Sequence, residues 1–263
     1  MSSSLILSHK RKLRVWNDMF SVSGIQEDER SGGGKRGEVE VFSAGSRYRL
    51  FRLLHQVSFK EVCFMTLTYP EEFPINPRVY KANLKEFHRK FEVEYPGVQA
   101  IWRLEFQKRG APHYHLMILD WRPGDDGEVE WMWKCTCHTW DMAHELLGVN
   151  YELIVDGNQQ SLIAHYLAKY IAKVDQTEVK NAIVKCGRWW GKWNITCPTP
   201  MEFEISDWQA QRIVTVALDS RVGNQRWEPL DATICTVFGG SMGGGLFGEF
   251  IRGYTDIVRN GKR

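Results

Sequence analysis

Two histidines and a glutamate lie within one short stretch of this 263-residue chain, and these are the side-chain types that hold a catalytic divalent ion. The stretch reads Trp102-Arg103-Leu104-Glu105-Phe106-Gln107-Lys108-Arg109-Gly110-Ala111-Pro112-His113-Tyr114-His115-Leu116. Side chains alternate faces along a strand, so His113 and His115 point the same way. A hairpin centred on Arg109, with Gly110 in the left-handed position of a three-residue loop, sets Glu105 opposite His113 and Arg103 opposite His115. Directly opposed residues hold their Cβ atoms about 5 Å apart, so two imidazoles and one carboxylate converge without help from the rest of the fold. Three protein ligands leave positions open for a substrate oxygen. A His-x-His pair alone is more often an ordinary surface or core pair. Here the strand is otherwise apolar, with Leu116 and Ile118, and two imidazoles in it need a reason.

The second set of reactive side chains is His165-Tyr166-Leu167-Ala168-Lys169-Tyr170-Ile171-Ala172-Lys173. Tyr166 and Tyr170 are four apart and share a helix face, and each has a lysine three positions on, Lys169 and Lys173. A phenol with a pKa of about 10 is a poor nucleophile at neutral pH. An ammonium beside it and a metal on the phosphate would both help it attack a phosphodiester. The bland reading is a core stripe of Ile163, Leu167, Tyr170, Ile171 and Val174 with lysines snorkelling outward. That reading does not account for the paired Tyr-Lys spacing.

The elements that must position these groups follow from periodicity. Residues 1–45 are polar and Gly-rich, with Ser31-Gly32-Gly33-Gly34, and read as a flexible basic arm. Arg47 to His55 reads as a short basic helix. Val62 to Thr68 is a buried strand closed by Tyr69-Pro70. Asn76 caps a helix running to Tyr95, with Val79, Leu84, Phe87 and Phe91 near helical spacing. Strands are expected over Val98–Gln107, Pro112–Asp120 and Tyr151–Val155, and helices over Asp141–Leu147 and Ser161–Val174. The order predicts an α+β fold: an antiparallel sheet covered by helices, with split-βαβ, ferredoxin-like character. Residues 46–176 form the expected central domain, and 177–263 a Trp- and Gly-rich extension without an assigned role.

Composition bounds the function. Apolar residues make up 43%, enough for a real core, and the formal charge of +2 excludes a polybasic nucleic-acid coat. Any DNA surface must come from local clusters: Lys10, Arg11, Lys12 and Arg14; Arg47, Arg49 and Arg52; Arg259, Lys262 and Arg263. Six cysteines in so long a chain do not make a disulfide scaffold. No signal peptide is visible, and the uncharged run from Ala232 to Gly248 is Gly-rich and short for a membrane helix. A soluble protein of the host-cell cytoplasm, without a membrane partner, is expected.

Taken together, Phe64-Met65-Thr66-Leu67-Thr68-Tyr69-Pro70, His113-Tyr114-His115 with Glu105, and the doubled Tyr166/Lys169 and Tyr170/Lys173 resemble the three motifs of the HUH-superfamily replication initiators (Rep) of phages and plasmids, in their two-tyrosine branch. The resemblance covers roughly residues 46–176. It implies metal ligation of Mg2+ or Mn2+ by Glu105, His113 and His115, with the histidine pair on the central strand of an antiparallel sheet. It implies nicking of single-stranded DNA by Tyr166 or Tyr170, a covalent 5′-phosphotyrosine and a free 3′-OH that primes rolling-circle synthesis. Single-stranded or hairpin origin DNA is the expected partner, touched by Arg47, Arg49, Arg52, Thr66, Thr68, Lys108 and Arg109. The chain has no Gly-x-x-x-x-Gly-Lys-Ser/Thr motif, so a host helicase is expected beside the polymerase.

Two other readings compete. A two-His-one-carboxylate set also serves non-haem iron enzymes, though that leaves the Tyr-Lys helix idle. A ferredoxin-like sheet can also bind nucleic acid without catalysis. Cys135-x-Cys137-His138 with His144 hints at zinc, but the spacing lacks a second pair and reads better as free thiols near a Trp-rich packing region. Gly187-Arg188-Trp189-Trp190-Gly191-Lys192-Trp193 suits base stacking or packing against the core.

Overall fold

The computed structural model describes residues 10–16, 19–24, 42–124, 127–137, 148–154, 186–219 and 234–238. The chain divides into two compact units. Residues 35–51 and 59–196 form one; residues 1–34, 52–58 and 197–263 form the other. The class is α+β, as the sequence predicts.

The first unit holds the candidate chemistry, and its sheet begins with the apolar run Val62–Thr68. In chain order the elements are α1 (Ala44–Gln56, whose later turns belong to the other unit), β3 (Val62–Thr68), α2 (Pro77–Glu94), β4 (Gln99–Phe106), β5 (Pro112–Leu119), α3 (Glu128–Cys137), β6 (Val149–Ile154) and β7 (Trp190–Trp193). The sheet order is β6-β3-β5-β4-β7, every neighbouring pair antiparallel. Strands β3 and β4 therefore run parallel with β5 between them, and α2 is their crossover: a split βαβ. Strand β5, which carries both histidines, is the middle strand.

Local chemistry sets the boundaries. The Asn76 side chain accepts from Arg78 N at 2.9 Å, and Pro77 follows at the first helical position. The buried stripe of α2 is Tyr80, Leu84, Phe87 and Phe91. Val79, expected in that stripe, is exposed instead, because spacings of four, three and four select residue 80 and leave 79 about 100° away. The β4–β5 connection is the expected three-residue loop. Gln107 N donates to Ala111 O at 2.9 Å, Gly110 N donates to Gln107 O at 2.8 Å, and Gly110 has φ +88°.

The helices cover one face of the sheet. Phe87 of α2 packs on Trp133 of α3 at 5.7 Å and on Trp193 of β7 at 6.4 Å, and Tyr80 packs on Phe106 at 6.1 Å. Helix α3 is not among the elements that periodicity predicts. Its Trp133 is fully buried, with Nε1 donating to Thr68 O at 2.9 Å. The Trp-rich segment packs rather than presenting a stacking surface. Trp189 and Trp193 are buried, and Gly191 lies opposite Trp102 so closely that a Cβ there would sit 2.7 Å from its indole.

The other unit contains a four-stranded antiparallel sheet in the order β8-β1-β2-β9: β1 (Lys10–Val15), β2 (Met19–Gly24), β8 (Met201–Ser206) and β9 (Ile234–Phe238), with α4 (Asp207–Asp219) after β8. So part of the segment expected as an arm forms a hairpin, because Leu13, Val15, Phe20 and Val22 bury together. Its basic residues are neutralised across the strands. Lys10 pairs with Glu204 at 3.1 Å, Lys12 with Glu202 at 3.3 Å, Arg14 with Glu202 at 2.6 Å and Arg11 with Asp207 at 2.5 Å. Among the described residues no helix is long and apolar enough to cross a membrane.

Candidate metal centre

Register builds the site. Strands β4 and β5 pair Glu105 with His113 and Arg103 with His115, and β3 and β5 pair Thr68 with His113 and Thr66 with His115. Directly paired residues of an antiparallel sheet share a face. Arg103, Glu105, His113, His115, Thr66 and Thr68 therefore lie together, on the face away from α2 and α3. Tyr114, between the histidines, points to the helix side. It is fully buried, and its hydroxyl donates to Tyr80 O at 2.9 Å.

Glu105 and His115 are buried, with side chains 6% and 10% exposed. Glu105 Oε2 lies 3.1 Å from His115 Nε2, and Oε1 lies 3.0 Å from Arg103 Nη1. A carboxylate beside a guanidinium is ionised and can only accept, so His115 Nε2 carries the hydrogen of that contact. The Arg103 guanidinium is stacked over the Phe42 ring at 4.9 Å. His113 is half-buried. Its Nδ1 is 3.0 Å from Thr68 Oγ1 and 3.5 Å from Gln107 Nε2, and its ring meets that of His115 edge-on at 4.5 Å.

The donor set suits a divalent ion with open positions, Mn2+ better than Mg2+ given two imidazoles. Adjacent ligands of an octahedral ion bound at about 2.1 Å stand about 3 Å apart. The Glu105–His115 separation of 3.1 Å fits that edge, with the ion replacing the Nε2 hydrogen. An Nδ1 contact to Thr68 suits a ligating histidine, which uses its second nitrogen to fix the ring. Yet among the described residues no three His, Cys, Asp or Glu side chains stand close enough to hold a metal ion. Two donors are gathered, and the third needs a side-chain shift, on strands whose register already brings it within reach.

The other sequence-predicted positions fall out unevenly. Tyr166, Lys169, Tyr170 and Lys173 lie outside the described residues, as do the expected helices over Asp141–Leu147 and Ser161–Val174. Arg109, expected on phosphate, is turned inward instead. Its guanidinium donates to the carbonyls of Tyr69, Pro70 and Glu71 at 2.5, 2.5 and 3.1 Å and stacks on Phe73 at 5.1 Å. Those carbonyls follow the end of strand β3, and a planar cation satisfies them together. Arg47 Nη1 donates to Phe42 O at 3.2 Å, and the Arg52 guanidinium lies over the Trp16 ring at 5.7 Å. Arg49 and Lys108 are exposed. Thr68, expected on DNA, contacts His113. Gln107, beside the same ring nitrogen, is a residue that sequence reasoning misses, although its place at the hairpin base next to Phe106 is a legible signal.

Burial excludes some alternatives. Tyr69, Tyr80 and Tyr114 are all pushed above the ordinary phenol range by burial, so they remain protonated and are poor nucleophiles. Cys137 is likewise pushed up by burial, and two positions apart on a helix Cys135 points elsewhere. His138 and His144 lie outside the described residues.

Residues 62–175 match the model of a family described as Replication-associated protein ORF2. The matched stretch is less than half the chain. It begins at the first residue of β3, takes in the whole polar cluster except for its covering elements, and includes Tyr166 and Tyr170. Over that stretch the chain is similar to replication-associated proteins. No curated protein and no solved structure matches it.

Proposed function

We propose that the chain is an HUH-type endonuclease of the two-tyrosine kind, which nicks and rejoins single-stranded DNA to initiate rolling-circle replication. One observation carries the reading. A carboxylate and two imidazoles share the inner strands of a split-βαβ sheet, inside a stretch that matches replication-associated proteins. Glu105, His113 and His115 would hold Mg2+ or Mn2+, and the bound ion would polarise a phosphate oxygen. Thr68 fixes the His113 ring, and Arg103 fixes one oxygen of Glu105.

The nucleophile is the phenolate of Tyr166 or Tyr170, with Lys169 or Lys173 lowering the cost of its charge. Its oxygen bonds to phosphorus and the bond from phosphorus to O3′ breaks. O3′ takes up a proton, matching the one the phenol lost, and the 5′ phosphate stays on the tyrosine. The free 3′-OH primes synthesis, and the second tyrosine permits another cleavage before the strands rejoin. Helicase and polymerase of the host would supply strand opening and copying. The exposed Arg49 and Lys108 are the cations placed best for phosphate.

The test is a labelled single-stranded origin DNA incubated with the protein and Mn2+, then run on a denaturing gel. The reading expects a protein–DNA adduct that EDTA prevents and that Tyr166→Phe/Tyr170→Phe eliminates. Folded protein that forms no adduct on any origin-containing DNA would leave a metal-free DNA-binding module instead.

A further inference from the structure

We propose that Arg103 cancels the charge of Glu105, so that a divalent ion is held firmly at the site only together with a DNA phosphate. The inference rests on the metal reading above and deepens it. Arg103 and Glu105 are both almost fully buried, 5% and 6% exposed, with Nη1 and Oε1 3.0 Å apart. Two neutral imidazoles add no charge. The protein's share of charge at the centre is therefore close to zero among the described residues. The same face carries Glu152, opposite Phe64, and Lys192, opposite Ile101. These are one of each sign, and both stand farther along the sheet than His115's own partners.

A divalent ion entering this centre meets a guanidinium within a residue's length of its carboxylate ligand, in surroundings that screen poorly. Arg103 cannot lose its proton, and stacking on Phe42 keeps it in place. The pair also divides the carboxylate. Oε1 is committed to Arg103, which leaves Oε2, on the His115 side, as the single oxygen for an ion. An anionic phosphodiester brings the missing negative charge. Metal and DNA thus each raise the other's affinity, and by linkage the factor is equal in both directions. Cleavage is confined to assembled sites.

The experiment uses the full chain carrying Tyr166→Phe/Tyr170→Phe, so that DNA stays intact. Mn2+ binding is followed from the electron paramagnetic resonance signal of the free ion. It is measured alone and with a single-stranded oligonucleotide selected from a random pool for binding. The expected result is Mn2+ affinity raised about tenfold or more by the DNA. Adding Arg103→Gln should tighten Mn2+ without DNA by a similar factor and shrink the DNA effect, whereas Arg103→Lys, which keeps the charge, should preserve it. An equal Mn2+ affinity with and without DNA would overturn the inference, and that comparison needs no change at Arg103. Folded Arg103→Gln protein binding Mn2+ no more tightly would overturn it too. The metal reading fails separately: saturable Mn2+ binding would then be absent, or untouched by Glu105→Ala.

Discussion

The two faces of the five-stranded sheet are made from alternate residues of the same strands, and they hold charge in opposite ways. On the helix face, Tyr114, Trp102, Phe87, Phe91 and Trp133 form a dry aromatic layer, and polar atoms there end on backbone carbonyls, as Tyr114 and Trp133 do. On the other face, Arg103, Glu105, His113, His115 and Thr68 are gathered against one another, each polar head turned to a second polar head. A layer of rings is a device for stability. Buried charges gathered on neighbouring strands cost desolvation, and replacing them by apolar residues often stabilises a fold, so their presence points to function. Substitutions on the first face should therefore unfold the protein, and substitutions on the second should silence it while it stays folded.

The sharpest contrast is Trp133→Ala. Trp133 is fully buried, touches Tyr69 at 5.2 Å and Phe87 at 5.7 Å, and its indole N–H holds Thr68 O. Its loss should cost about 3–5 kcal/mol, read from urea unfolding of the full chain by circular dichroism. Glu105→Gln, on the opposite face, should leave that unfolding midpoint within about 0.5 kcal/mol or raise it, while abolishing the DNA adduct. If the two variants unfolded alike, the division of labour between the faces would not hold.

Next in size is Gly191→Ala. A methyl group there would stand 2.7 Å from three atoms of the Trp102 indole, which is nearly buried and packed under the Lys81 ammonium. Displacing that ring should cost about 1–3 kcal/mol, and Gly191→Ala/Trp102→Leu, which makes room, should cost less than the sum of the two single changes. Additivity in the double-mutant cycle would show that the contact does not matter.

Thr68→Val tests the second face alone. The isosteric change removes the hydroxyl 3.0 Å from His113 Nδ1 and keeps the strand. It should weaken the Mn2+ affinity that governs adduct formation about tenfold, through a ring free to turn, with the fold unchanged. An unchanged metal requirement would mean that Thr68 orients nothing and contacts DNA directly.

What the sequence discloses follows from the range of the interactions involved. The β4–β5 hairpin is readable because Glu105, Gly110 and His113 lie close together in the chain, and loop length alone sets their register. Helix α2 announces itself through Asn76-Pro77 and its aromatic stripe. Strands β1 and β2 do not, because their partners β8 and β9 lie near the other end of the chain, and Lys10-Arg11-Lys12 looks like a solvated arm until Glu202 and Glu204 are set beside it. Helix α3 is hidden because Trp131, Trp133 and two cysteines look like a ligand or stacking cluster as readily as a helix. The inward turn of Arg109 depends on where the β3 carbonyls end, which is a fact of packing rather than spacing.

The smallest effect concerns a charge on the wrong face. Lys81 of α2 lies over Trp102, 4.8 Å from its ring, with Nζ donating to Arg188 O. Burial pulls its pKa down from 10.5 to about 8, with Cys186 opposing and Arg188 adding to the fall. A depressed amine pKa means that the unfolded chain binds more protons than the folded one between about pH 8 and 10.5, so this group's contribution to stability rises with pH through that window. Below about pH 8 the folded state carries the full cost of the buried ammonium. Lys81→Met removes that cost and its pH dependence together. Its stability relative to the parent should therefore be highest near neutral pH and should fall steadily as pH rises toward 10.5, by urea titrations at fixed salt. A stability difference that stayed flat across the window would place the ammonium in water, and the helix face would then have no buried charge at Lys81 to set against the paired charges of the site.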